Sequence, residues 1–361
     1  MGYHTLSQIA NYKMTTQTAL LVTEISKPLI KASRPVPEPK DKEVLIQVTI
    51  AGLNPHDAKS RDHGLFIKDL LPAVLAADVA GVVKRVGPNV TRFKEGDHIF
   101  GQASLPDSNT QGLQEYAILD TRFSANVPSG FADAQAASLP TNYFTAAVAL
   151  FDPTCFGIPA PWDPASNSFD YKSTSVLILG GGSNTGKFGI QLAALAGIAN
   201  IIVVAGLKGA ADIKALGATY VVDRTKSPAE IAAKVRELTG DDLIYALDTV
   251  NPLESQFIGV EALSNCKTGK LARLLPMGPI DETKLSSKKR AGFKTQDVFG
   301  ASNARVDTAV PLWERVTGLV EEGKIKPLGH QIIKGLDVDA VNKTLDGYSN
   351  GRLSGQWQVH F

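Results

Sequence analysis

The chain has 361 residues, 43% hydrophobic and 20% charged, an ordinary composition for a globular protein with room for two domains. A formal net charge of +1 gives no electrostatic reason to expect nucleic acid or an anionic membrane surface as a partner. The two cysteines, Cys155 and Cys266, exclude a disulfide framework and a four-cysteine zinc site, and no apolar run is long enough to span a bilayer.

Residues 1–16 are mixed and polar, lack the apolar core of a signal peptide, and read as a flexible extension; a cytoplasmic location is the expectation. Strands are expected at Thr18–Val22, Glu43–Ala51, Val79–Val86 and His98–Gly101, punctuated by Gly64, Pro72, Gly87-Pro88 and Gly96-Asp97. Helical signals follow at Ala134–Ala137 and Thr145–Leu150, then a Pro/Asn/Ser/Asp-rich loop over 152–174. From Val176 strands and helices alternate. Strands are expected at Val176–Leu179, Ile201–Val204, Tyr220–Val222, Leu243–Leu247 and Leu271–Leu275. Between them come helices at Phe188–Leu195, Ala210–Leu216 and Pro228–Leu238, the last with Ser227 as N-cap. Alternation of this kind predicts a doubly wound parallel sheet. A helix at Trp313–Glu322 and a final strand at Gln356–Phe361, returning to the first domain, complete the pattern.

Four apolar residues, Val176–Leu179, run into Gly180-Gly181-Gly182-Ser183-Asn184-Thr185-Gly186-Lys187-Phe188-Gly189. Strand, glycine turn and helix bring backbone N–H groups and a helix N-terminus up to a phosphate. Gly181-x-x-x-x-Gly186-Lys187 matches most of a triphosphate-binding loop, but Phe188 stands where the Mg²⁺-holding hydroxyl is required. Gly182-x-x-x-Gly186-x-x-Gly189 has the spacing of a degenerate dinucleotide fingerprint, which assigns Gly182, Ser183, Asn184, Thr185 and Gly186 to cofactor binding. A glycine-rich turn that binds nothing is the alternative. The second strand ends in Ala205-Gly206-Leu207-Lys208, without the acid that holds an NAD ribose; Lys208, with Arg224 after the third strand, favours NADPH over NADH.

Several segments in order resemble the medium-chain dehydrogenase/reductase superfamily: Leu53-Asn54-Pro55-His56-Asp57-Ala58-Lys59, Ala77-Asp78-Val79-Ala80-Gly81, Val86-Gly87-Pro88-Asn89-Val90, Phe93-Lys94-Glu95-Gly96-Asp97, Gly112-Leu113-Gln114-Glu115-Tyr116 and Ala136-Ala137-Ser138-Leu139-Pro140. The loop at 152–174, the Gly181-Gly182-Ser183 turn and the ending Leu353-Ser354-Gly355 are similar to fungal trans-acting enoyl reductases of polyketide pathways and to fungal zinc-binding-alcohol-dehydrogenase-like reductases of the toxin-cluster type. The resemblance implies an α/β fold in which a doubly wound Rossmann sheet (146–324) accompanies a β-rich GroES-like catalytic domain (17–145 and 325–361).

The zinc of that superfamily's alcohol dehydrogenases is not expected here. Asn54 occupies the first ligand position and Ala76-Ala77-Asp78 the place of the Gly-His-Glu motif. Tetrahedral zinc wants S and N donors there. The resemblance places Asn54, Asp57 and Lys59 near the nicotinamide, with Lys59 able to donate a hydrogen bond or proton and Tyr143 as a second possible donor. Thr145, Thr249, Val250 and Ser354 fall on the cofactor side. For Lys59, Lys208 and Arg224 the alternative is an ordinary solvated cation, for Asp57 a buried structural role, and for Tyr143 a pocket wall.

The activity expected is hydride transfer from NADPH to an activated C=C bond, enoyl or quinone-like, of a small-molecule substrate. An aldehyde or ketone reductase, or a non-catalytic NADPH-binding sensor or partner subunit, stands as the alternative. A carrier protein or polyketide synthase is the possible partner, and monomer and homodimer are both open.

Overall fold

The computed structural model describes residues 16–275 and 278–361. The extension expected over residues 1–16 lies outside the described residues except for Thr16, which opens the first strand. That strand, Thr16–Leu21, forms an antiparallel pair with Ile30–Pro35, a strand whose alternating polar sequence hid it.

The first large sheet has seven strands. Glu43–Leu53 lies at its centre, flanked by Asp78–Val86 and by the chain's last strand, Gln356–His360. The expected return of the C-terminus is thus observed: Trp357 pairs with Leu53 and His360 with Ile50. His98–Gln102 and Ser124–Asn126 extend one side, His330–Lys334 the other, and Tyr116–Asp120 also pairs with Glu43–Leu53. A helix not expected from the sequence, Pro55–His63, follows the central strand. It carries no apolar stripe, because four of the residues it buries are Asp57, Ala58, Ser60 and Arg61. Its signals are local: Pro55 at the first turn, the Asp57 carboxylate accepting the Asn54 N–H at 2.7 Å, and Gly64 in the left-handed region at its end.

The second sheet has six strands, all parallel, in the order Tyr220–Asp223, Asn200–Ala205, Ser175–Leu179, Tyr245–Asp248, Gly269–Arg273, Phe293–Asp297. Five were expected. The sixth, Phe293–Asp297, is an edge strand whose polar residues leave no apolar run to read. Asn184–Leu195, Ala210–Ala215 and Pro228–Thr239 are helical as expected, and Ser227 caps the third by accepting the Glu230 N–H. The order reverses at Ser175–Leu179, so the crevice at its carboxyl end is the switch point where such sheets bind ligands.

A single helix over Trp313–Glu322 is corrected to two, Val306–Trp313 and Val316–Glu321. Pro311 lies inside the first. Burial of Ala309, Leu312 and Trp313 outweighs the hydrogen bond that proline forfeits. The helix Val338–Ser349, also unexpected, packs on Pro55–His63, and the helix Pro140–Phe151 packs on the strands Asp78–Val86 and His98–Gln102 and on the helix Asn184–Leu195, with nine of its residues buried. Among the described residues no helix is long and apolar enough to cross a membrane.

Candidate active site

The turn after Ser175–Leu179 is shaped by close approach. A Cβ on Gly186 would lie 2.4 Å from the Gly180 carbonyl oxygen, so any side chain there would displace backbone. Ser183 caps the helix Asn184–Leu195, its hydroxyl accepting the Gly186 N–H at 2.9 Å and meeting the Thr249 hydroxyl at 2.8 Å. The Asn184 and Thr185 N–H groups, in the first helical turn, have no intrahelical acceptor. A Cβ on Gly182 would meet nothing within 4 Å, so the turn is open on its ligand side.

One cavity of about 750 Å³ unites this turn with the first domain. Of the residues assigned from the sequence, Asn54, Lys59, Thr145, Gly182, Ser183, Asn184, Thr185, Arg224, Thr249, Val250 and Ser354 line it. Four others do not. Gly186 lies beneath the turn. Lys208 is exposed in the short turn Leu207–Gly209 and is not a lining residue. Asp57 is buried and accepts the N–H groups of Asn54 and Ala76 at 2.7 and 2.9 Å, which fits its structural alternative. Tyr143 is buried against Phe188, its ring centroid 5.7 Å away, and its hydroxyl has no partner among the described residues. Burial pushes that phenol well above its ordinary pKa. Tyr143 is therefore not brought to the cavity, and Lys208 stands in solvent two residues beyond Gly206, which lines it.

Arg224 reaches the end of the second parallel strand: its Nε lies 3.8 Å from where a Gly206 Cβ would be. Lys59 opens into the cavity from the helix Pro55–His63, and the walls around it desolvate the ammonium and lower its pKa.

Sequence reasoning named Asn54 but missed the chain of polar groups that holds it. Asn54 Nδ2 donates to the fully buried Asp78 carboxylate at 2.8 Å, and Asn54 Oδ1 accepts from Asn142 Nδ2 at 2.8 Å. Thr185 then donates its hydroxyl to Asn142 Oδ1 at 2.8 Å. Asp78 also accepts the Thr141 N–H and Gln356 Nε2, both at 2.7 Å. Burial raises the Asp78 carboxyl above the ordinary range, against these donors. Five separated segments are thus joined in one chain that ends at the N-terminus of Asn184–Leu195. The sequence marks Asp78 as a departure from a zinc motif and Thr185 as part of the glycine turn, but nothing in it marks Asn142 or Gln356. Among the described residues no group of three or more His, Cys, Asp or Glu side chains could hold a metal ion.

A glycine turn at the switch point of a parallel sheet, facing a β-rich domain across one cleft, is the architecture of a dinucleotide-binding protein. Comparison with known proteins bears on which. Residues 40–136 match the family model of the alcohol dehydrogenase GroES-like domain. The chain is 30% identical over 360 residues to dehydrogenase mokE of Monascus pilosus, covering 94% of this chain and 95% of that one. It is 32% identical over 255 residues to trans-enoyl reductase grgB of a Penicillium species, covering 70% and 68%. An alcohol dehydrogenase superfamily protein of Novosphingobium aromaticivorans superposes with a TM-score of 0.77 at 24% identity, over 96% of this chain and 99% of that one. The chain belongs to the zinc-independent medium-chain dehydrogenase/reductase superfamily, related to the fungal trans-acting enoyl reductases and the zinc-type alcohol-dehydrogenase-like oxidoreductases.

Proposed function

We propose that this protein is an NADPH-dependent reductase that transfers hydride to the activated C=C bond of an enoyl or quinone-like substrate. The observation that carries the reading is the single cavity shared by the open glycine turn and Lys59. The turn suits a pyrophosphate, with free N–H groups at a helix N-terminus and space above Gly182. The acid-free end of the strand Asn200–Ala205, with Arg224 folded over Gly206, suits a 2′-phosphate and supports NADPH over NADH.

NADPH, when bound, supplies the hydride. The residues then have definable tasks. Lys59 donates a hydrogen bond to the substrate carbonyl oxygen, where negative charge grows as the β carbon accepts hydride. The enolate takes a proton at the α carbon, so substrate, NADPH and one proton give the saturated carbonyl compound and NADP⁺. Asn54, held on both sides by Asp78 and Asn142, sets the floor on which the reacting groups meet. On the likeness to the trans-acting enoyl reductases, an acyl chain presented by a carrier protein of a polyketide synthase is a further form of the substrate.

The test is purified protein with NADPH or NADH and trans-2-hexenal, with product identification by mass spectrometry. Hexanal is the expected product, formed faster with NADPH. 2-Hexen-1-ol instead would move the assignment to an aldehyde reductase. Tight NADPH binding without oxidation, across a panel of enals, ketones and quinones, would remove the enzymatic reading.

A further inference from the structure

The end of the cavity around Lys59 is walled by large apolar side chains. Leu65 and Phe66 follow the helix Pro55–His63; Val298 and Phe299 follow the edge strand Phe293–Asp297; Leu105 joins them from the loop after His98–Gln102. Phe66 and Phe299 meet across the cleft with ring centroids 5.5 Å apart and planes at 55°. Each residue is 37% exposed, which leaves apolar surface in water that the fold does not cover. Phe66 also has φ +67°, the left-handed region that bulky residues avoid, so the chain carries backbone strain to aim this ring.

Phe299 is held just as firmly. Gln102 Nε2 donates to the Gly300 carbonyl at 2.8 Å, and Gln102 Oε1 accepts from the Ser302 N–H and hydroxyl at 2.8 and 2.6 Å. Asn303 Nδ2 donates to the Leu105 carbonyl at 2.7 Å. Gly300 packs so closely on Thr145 that a Cβ would lie 2.0 Å from the threonine hydroxyl oxygen. The segment leaving the nucleotide-binding sheet is thus fastened to the other domain immediately beyond the ring.

We propose that Phe66 and Phe299 form an aromatic bridge that recognises the substrate's tail. It selects α,β-unsaturated carbonyl compounds carrying a flat or extended apolar substituent, the carbonyl toward Lys59 and the tail against the two rings. The inference rests on the reduction reading above for the carbonyl, but the tail-binding surface stands on its own geometry. Aromatic contact and the area it covers set the expected effect.

The test compares the full-length protein with Phe66→Ala, Phe299→Ala and the double variant, and with Phe66→Leu and Phe299→Leu, which keep apolar bulk. KM is measured for trans-cinnamaldehyde and trans-2-butenal with NADPH. Binding of cinnamamide, which needs no turnover, is measured by calorimetry in the presence of NADP⁺. The double alanine variant is expected to raise the cinnamaldehyde KM and weaken cinnamamide by about tenfold, with the 2-butenal and NADPH KM values unchanged and the leucine variants intermediate. Equal effects on both enals, or unaltered cinnamamide binding, would overturn the bridge. Loss of cinnamamide binding in a protein that reduces neither aldehyde would leave the bridge and sink the reduction reading. Failure of the wild-type protein to bind cinnamamide or to distinguish the two enals would sink the bridge alone.

Discussion

Lys59 and Tyr143 are both near the cleft, and desolvation moves their pKa values in opposite directions. For Lys59 the charged form is the one disfavoured, so the amine loses its proton at lower pH than an ordinary lysine. The proposed role needs the protonated amine. kcat/KM should therefore be level at low pH and fall as pH rises through that lowered pKa. In Lys59→Met the rate should drop by about 10²-fold, and this alkaline limb should vanish from the pH profile. Tyr143 gives the contrasting case. Its buried hydroxyl has no partner among the described residues, so Tyr143→Phe removes an unsatisfied polar group. Stability should stay level or rise by up to about 1 kcal/mol, read by denaturant unfolding, with kcat unchanged. A fall in kcat in Tyr143→Phe would return it to the proton-donor role. Sequence could name both residues because each sits in a recognisable segment. Which way a side chain points from its helix depends on what packs there, and neighbouring residues do not encode that.

Elements were legible where their signals are local and apolar. The parallel strands at Ser175–Leu179 and Asn200–Ala205 are continuous apolar runs because helices cover both faces. Pro228–Thr239 was readable from its Ser227 cap. Pro55–His63 and Phe293–Asp297 were missed because one buries polar groups and the other is an edge. The glycine turn combines both kinds of information. Its spacing is in the sequence, but the reason for Gly186 is a backbone oxygen 2.4 Å from an added Cβ. Gly186→Ala must shift backbone that cannot rotate away. It should cost about 1–3 kcal/mol by thermal or chemical unfolding and weaken NADPH binding by at least about tenfold in a fluorescence titration. Unaltered NADPH affinity would show that the turn does not hold the phosphates.

Across the molecule, the connection that matters runs Gln356, Asp78, Asn54, Asn142, Thr185, every link at 2.7 to 2.8 Å. It begins on the last strand, passes under the site and ends on the first turn of the nucleotide-binding helix, so the two halves of the cavity share one hydrogen-bonded frame. Asn142→Leu leaves the Asn54 oxygen and the Thr185 hydroxyl without their partner. Stability should fall by about 1–3 kcal/mol. If the frame aligns the two halves, steady-state kinetics should also show a lower kcat together with a higher KM for NADPH. A loss of stability with unchanged kinetics would reduce the chain to a structural role.

By itself the sequence determined the alternation of strands and helices, the glycine turn between Leu179 and the following helix, the absence of zinc ligands at residues 54 and 76–78, and the acid-free strand end. Each is written within a few consecutive residues, in periodicity, glycine spacing or side-chain chemistry. Tertiary structure alone decided that Arg224 lies beside Gly206 at that strand end, that Tyr143 faces the core, and that Asn142 and Asp78 hold Asn54. It also brought Phe66 to Phe299. These pairings join residues far apart in the chain. They exist because the last strand returns to the first sheet and the segment after the sixth parallel strand crosses the cleft, which is a property of topology and not of any local stretch.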